Sequence, residues 1–183
     1  MNLKTGSKHP LLSRILHWLM AAIILAALGL GIYMVEFLDK EAANRQAIYD
    51  LHKSLGVVVF MLIILLRLPV RLVFGAPPLP KSLPIYERIL ARLTYLAFYF
   101  LMIAVPLSGY LMTNAFGYPV PFFSLTDELL FIYGIDDEMA KKFAEFHKTS
   151  AFVLLALVTL HILAVIKHRF FDKPENDLLK RMW

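Results

Sequence analysis

Six histidines, His9, His17, His52, His147, His161 and His168, are the chemistry-bearing residues of a chain of 183 residues that has no cysteine. Without thiols there can be no disulfide, no thiolate-held iron–sulfur cluster and no thiolate-ligated haem, so imidazole is the natural ligand for any metal. His147 and His161 lie fourteen positions apart. On one helix that spacing is about 3.9 turns and about 21 Å of rise, so the two rings leave nearly the same face at two depths. Taken singly, each histidine has an ordinary explanation. His17 beside Trp18 suits a membrane surface, and His52 and His147 suit partly solvated helix starts. Only His161 is enclosed by an apolar run, Leu157 to Ile166.

The elements that must position these rings are membrane spans. Hydrophobic residues make up 59% of the chain, above the roughly 45–50% of soluble domains. Four apolar runs stand out, at about residues 15–37, 51–74, 93–112 and 147–166. Each is close to the roughly 20 helical residues a bilayer core requires, and their continuous apolarity excludes alternating barrel strands. The first run is too long for a signal-peptide core and reads as an uncleaved helix. The second is interrupted by Arg67, Pro69 and Arg71, so its hydrocarbon part should stop near Leu68 with both arginines reaching headgroups. The expected fold is all-α: a single integral membrane four-helix bundle over residues 1–183. Between runs two and three lies a proline-rich extended linker, residues 75–84. Between runs three and four lies a loop of about residues 114–145, whose Phe116, Tyr118, Phe122, Phe123, Phe131 and Tyr133 suggest an interfacial segment. Asp136, Asp137 and Glu138 should start a short helix leading into the fourth span.

Net charge is +5, and its distribution speaks for membrane orientation rather than nucleic acid. The side holding both termini and the second linker, from Lys4 to Arg181, carries 13 Lys+Arg against four acids, whereas the opposite side carries six against ten. The positive-inside bias therefore puts both termini in the cytoplasm. His17 and His161 then fall at the inner depth, and His52 and His147 at the outer. Two imidazoles facing each other across a bundle can clamp a haem iron axially, while a mononuclear zinc needs three or four ligands at one depth. With both axial positions filled, outer-sphere electron transfer is favoured over oxygen binding.

Other residues carry two readings each. Gly29, Gly31, Gly56, Gly109, Ala22, Ala26 and Ser108 could admit a flat macrocycle, or could serve helix–helix packing. Lys53, Lys148 and Arg14, with Arg45 nearby, could pair with haem propionates or snorkel to the surface. His168, seven residues beyond His161, could hydrogen-bond a quinone or be a surface histidine. His9 sits in a polar tail and is assigned nothing.

The stretches Arg14-Ile15-Leu16-His17-Trp18, Leu51-His52-Lys53-Ser54-Leu55-Gly56, Pro106-Leu107-Ser108-Gly109, Glu145-Phe146-His147-Lys148 and Leu160 to His168, with Arg67, Arg71 and the tail from Asn176 to Met182, resemble the bacterial cytochrome b561 family. That family groups with the cytochrome b subunits of nickel–iron hydrogenases. The resemblance implies two b-type haems, ligated by His17 with His161 and by His52 with His147, and a quinone partner on the cytoplasmic side of the bacterial inner membrane. One branch looks like superoxide:ubiquinone oxidoreductases, for which Arg45, Lys53 and Lys148 would steer the anion locally against the net acidity of the outer face. A haem-bearing anchor subunit of a hydrogenase or dehydrogenase is the alternative. A haem-free transporter ranks last, because the chain shows no inverted repeat and no carboxylate within a span.

Overall fold

The computed structural model describes residues 8–123, 125, 126, 129 and 131–183. Four helices in it are long and apolar enough to cross a membrane: α1 (Leu11–Glu36), α2 (Arg45–Phe74), α3 (Ile85–Ala115) and α4 (Asp137–Phe170). Among the described residues there is no strand, only an isolated bridge between Phe122 and Thr126. The helices outrun the apolar segments at most of their ends. Hydropathy marks the part that needs lipid, whereas good helix formers such as Glu, Lys, Arg, Leu and Ala carry the hydrogen-bonded ladder on into the polar zone.

α4 illustrates this. The Asp136 side chain caps it by accepting from the Met139 N–H at 2.9 Å. Asp137 and Glu138 occupy its first turn, and Lys167, His168 and Arg169 its last. Both ends thus complement the helix dipole. No breaker separates residue 138 from His147, so the short lead-in helix expected from the sequence is simply the start of α4.

α2 is not uniform. Residues Leu62–Arg67 form a π-helical segment, closed by the Leu68 N–H reaching back five residues to the Ile63 carbonyl. Pro69 has no N–H to offer Leu65, and its ring would crowd that carbonyl; the wider turn ahead of it relieves the clash. α3 contains Pro106 in its interior.

The buried core is small: Met20, Ile24, Val59, Ile63, Leu101, Met102 and Leu154. It lies between the depth of His17 and His161 and that of His52 and His147, with Leu154 midway between the two histidines of α4. Many large apolar side chains face outward, Leu96, Phe100 and Leu160 among them. Such a surface suits hydrocarbon and not water.

One end of the bundle gathers the segment before α1, the C-terminal tail and the proline-rich linker. The His9 N–H donates to the Arg181 carbonyl at 3.0 Å. The Trp18 indole donates to the Met182 carbonyl at 3.0 Å, and the Trp18 and Trp183 rings lie 5.0 Å apart. The Arg181 guanidinium donates to the Pro78 carbonyl at 2.8 Å. Lys4, counted above with the basic side, and Asp127 and Glu128, counted with the acidic one, lie outside the described residues. At the opposite end the long loop is tied down by Ser54, which donates to the Pro121 carbonyl at 3.2 Å and accepts from the Phe123 N–H at 2.9 Å. Asn114 fixes the far side of that loop by accepting from the Ile132 N–H at 2.9 Å.

Candidate functional site

Two pairs of imidazoles face each other across the bundle. The His17 ring of α1 and the His161 ring of α4 have centres 6.4 Å apart, and the His52 ring of α2 and the His147 ring of α4 have centres 6.3 Å apart. The other ring pairs among the described residues stand at 5.0–5.5 Å. Both histidine pairs are therefore wider than direct ring contact by about the same amount. A metal bonded at about 2 Å to a nitrogen of each ring, with the ring centre roughly 1 Å further back, sets the centres about 6 Å apart. The chain's residues thus fit an iron held axially, twice, with α4 common to both pairs.

The His52–His147 pair is buttressed by α3. His147 Nδ1 lies 2.8 Å from the Val105 carbonyl oxygen. A carbonyl only accepts, so Nδ1 carries the proton and Nε2 is left with a free lone pair. The approach depends on Gly109: a Cβ there would stand 2.9 Å from His147 Cε1 and 3.0 Å from Nδ1. Gly31 does the same for the partner ring, its added Cβ meeting His52 Cε1 at 3.4 Å. His52 Nδ1 is buried beside the Ala27 carbonyl without meeting hydrogen-bond geometry. The His17–His161 pair is packed differently, with the Phe98 ring edge-on to His161 at 5.5 Å.

These contacts separate the two readings of the small residues. Gly31 and Gly109 make room for imidazoles, whereas Gly56 faces Pro106 and serves the α2–α3 packing. Gly29 has nothing near it. Ser108 donates to the Val105 carbonyl at 2.8 Å.

The basic residues singled out from the sequence are variously engaged. Arg14 donates through Nη1 to the Trp183 carbonyl, while its Nε is buried without a partner. Lys53 pairs with Asp50 at 3.2 Å and donates to the Pro119 carbonyl at 3.1 Å. Arg45 lies over the Tyr49 ring, 5.1 Å from its centre. Lys148 is exposed.

His168 is not an isolated surface histidine. Its Nδ1 lies 2.7 Å from Asp172 Oδ2, and Lys167 bridges Asp172 at 3.3 Å and Glu87 of α3 at 2.6 Å. The hydrogen bond from His168, against an opposing effect of burial and with help from Lys167, holds the Asp172 carboxyl below its ordinary range. Sequence reasoning missed Asp172 and Glu87. An acid four residues after a helical histidine was a usable signal for the first, and nothing in sequence spacing points to the second.

With this geometry in place, the comparisons with known proteins agree. Residues 8–183 match the family model described as prokaryotic cytochrome b561. The chain is also similar to cytochrome b561 homolog 2 of Escherichia coli (strain K12), at 33% identity over 181 residues, covering 97% of this chain and 92% of that protein. Four spanning helices, two cross-bundle imidazole pairs and a match over nearly the full length establish that the chain belongs to the prokaryotic cytochrome b561 family of membrane haem proteins.

Proposed function

We propose that residues 1–183 form one dihaem cytochrome b domain of the bacterial inner membrane, with both termini cytoplasmic. In this reading His17 and His161 hold the inner haem, His52 and His147 hold the outer one, and electrons move between an outer-side donor and ubiquinone. The observation that carries the reading is the equal, widened separation of the two ring pairs, 6.4 and 6.3 Å. Haem iron supplies reversible one-electron transfer.

Everything else is the work of the chain's own side chains. His17 with His161 and His52 with His147 would each hold an iron through two imidazoles, which suits electron transfer rather than dioxygen binding. The Val105 carbonyl fixes the His147 tautomer and ring plane, which raises the basicity of Nε2. The apolar plug of Met20, Ile24, Val59, Ile63, Leu101, Met102 and Leu154 keeps water and protons out of the space between the two sites. At the inner end Asp172 accepts from His168 Nδ1 and so supports the imidazolium form, whose Nε2–H hydrogen-bonds a quinone oxygen and passes it a proton, leaving the neutral ring.

Superoxide is the outer donor we infer. Lys148, exposed and directly after His147, offers an unshielded local cation. Lys53 contributes less, because Asp50 offsets its charge.

The test is a reduced-minus-oxidised spectrum of the purified protein with its haem-to-protein ratio. Two haems per chain are expected. His161→Leu should leave one, and equal loss of both would defeat the assigned pairs. Superoxide generated enzymatically should then reduce the wild-type protein; failure to do so removes superoxide and leaves the rest standing.

A further inference from the structure

Beneath the inner ring pair lies a cluster of cations that the reading above does not use. The Arg67 guanidinium donates to the Ser13 carbonyl of α1. Ser13 precedes His17 by four residues, just over one helical turn or about 6 Å along the axis, so Arg67 sits just on the terminal side of the inner pair. Arg71 follows one turn later on the same face of α2. Arg181 comes from the short 3-10 turn Leu179–Arg181 of the tail. It is only 6% exposed, anchored through the Pro78 carbonyl. All three arginines act on one ring, that of His9, which burial first and then their combined charge push down to about 4.

Among the described residues no carboxylate pairs with Arg67, Arg71 or Arg181; the ion pairs at this end belong to Lys167, His168, Arg169 and Lys180. Their polar neighbours are tyrosines, Tyr99 and Tyr95 beside Arg67 and Tyr95 beside Arg181. One buried and two half-buried guanidinium groups without a carboxylate partner repel one another, and their planar donor forks suit an anion placed among them. Arg67 is tied to the turn of α1 that precedes His17, so the cluster is nearer to carboxylates carried by a group held between His17 and His161 than a lipid phosphate at the surface would require.

We propose that Arg67, Arg71 and Arg181 form a carboxylate-binding pocket for the two propionates of the inner haem, with Arg181 delivered by the folded-back C-terminal tail. This rests on the haem assignment to His17 and His161 made above. It displaces Arg14, whose Nη1 is occupied by the Trp183 carbonyl, from the role the sequence suggested. Three guanidinium groups facing two carboxylates leave one positive charge in excess. That excess favours the electron-rich, reduced state of the inner site over its oxidised state.

The test uses the full chain, purified with its haems, in three variants: Arg71→Gln, Arg181→Gln and Arg181→Lys. Haem content, spectroelectrochemical midpoints of the two components and bound phospholipid phosphorus are read for each. Both glutamine variants should make the inner component harder to reduce, with about a tenfold lower reduced-to-oxidised ratio at fixed potential. That corresponds to about 59 mV for one electron. The outer component should not move, and Arg181→Lys should recover most of the inner shift. Unchanged midpoints with full haem content in both glutamine variants overturn the proposal. So does an equal shift of both components. Loss of bound phosphorus without a change in midpoint also overturns it and assigns the pocket to a lipid phosphate. If Arg181→Gln fails to accumulate because the Pro78 contact is lost, Arg71→Gln alone decides, since that contact is intact there. A wild-type protein lacking an inner haem defeats the underlying assignment, and this is seen before any variant is made.

Discussion

The His147 imidazole is fixed by a backbone carbonyl, that of Val105, which lies 2.8 Å from Nδ1 and immediately precedes the proline inside α3. Only a glycine at 109 lets the ring come so close. Gly109→Ala should therefore push the ring off its axis, because the added carbon would stand 2.9 Å from Cε1 and the α3 backbone cannot yield. The expected outcome is loss of the outer haem, with the haem-to-protein ratio falling to about half and the inner component's spectrum retained. Gly56→Ala, facing Pro106 at an ordinary 3.9 Å, is the control and should keep both.

In the proposed quinone site Asp172 and His168 act as a unit, joined at 2.7 Å. His168→Ala should lower quinone reduction by about 10²-fold, the low end for a positioned acid–base group, without changing haem content. Asp172→Asn keeps the hydrogen-bond geometry and removes the charge, so a smaller fall is expected, with the rate more dependent on pH. Stopped-flow oxidation of the reduced protein by ubiquinone measures both. Normal kinetics in His168→Ala would remove this residue from the site.

Cation steering at the outer face should rest on Lys148 more than on Lys53. Lys148→Gln should lower the superoxide rate and flatten its dependence on ionic strength. Lys53→Gln should do so weakly, because Asp50 at 3.2 Å already offsets that ammonium. Rates in pulse-generated superoxide at two salt concentrations distinguish them.

His9 sets a pH dependence for the haem-free protein. Its folded pKa, pushed down from 6.5 to about 4 by burial and by Arg71, Arg67 and Arg181, means that the unfolded chain binds the proton first as pH falls. Stability should therefore decline between about pH 6.5 and 4 and change no further from this source below that. His9→Gln should flatten the thermal-midpoint profile across that window. An unaltered slope would show that the ring does not titrate as described.

The spans and the way the four rings pair were legible in the sequence for a simple reason. Continuous apolarity fixes depth in a bilayer, and a separation of fourteen residues fixes the face of a helix, so His147 and His161 had to look toward different neighbours at different heights. The Val105 carbonyl was not legible, since a backbone acceptor has no identity in sequence; Pro106 and Gly109 were its only marks. The extended ends of the helices were hidden because hydropathy falls away where hydrogen bonding does not. Arg181 could not be placed, because its position depends on a tail that reverses direction after α4 and docks on His9, Arg14 and Trp18. The basic residues chosen from sequence adjacency, Arg14 and Lys53, turned out to be held by Trp183 and Asp50. Adjacency along a chain says little about which acceptor a long flexible side chain will find.

The widened turn at Leu62–Arg67 has a consequence for how α2 divides its labour. Each residue of an α-helix advances the azimuth by about 100°, and a π turn absorbs an extra residue without advancing the helix as far. The upper half of α2, which bears His52, is thereby angularly decoupled from the lower half, which bears Arg67 and Arg71. The two halves can be aimed separately, like two sections of a shaft joined by a slipped coupling: a one-residue deletion within 62–67 would leave them in nearly their present phase, whereas winding all six residues as α-helix would turn the arginines by roughly 100° toward lipid.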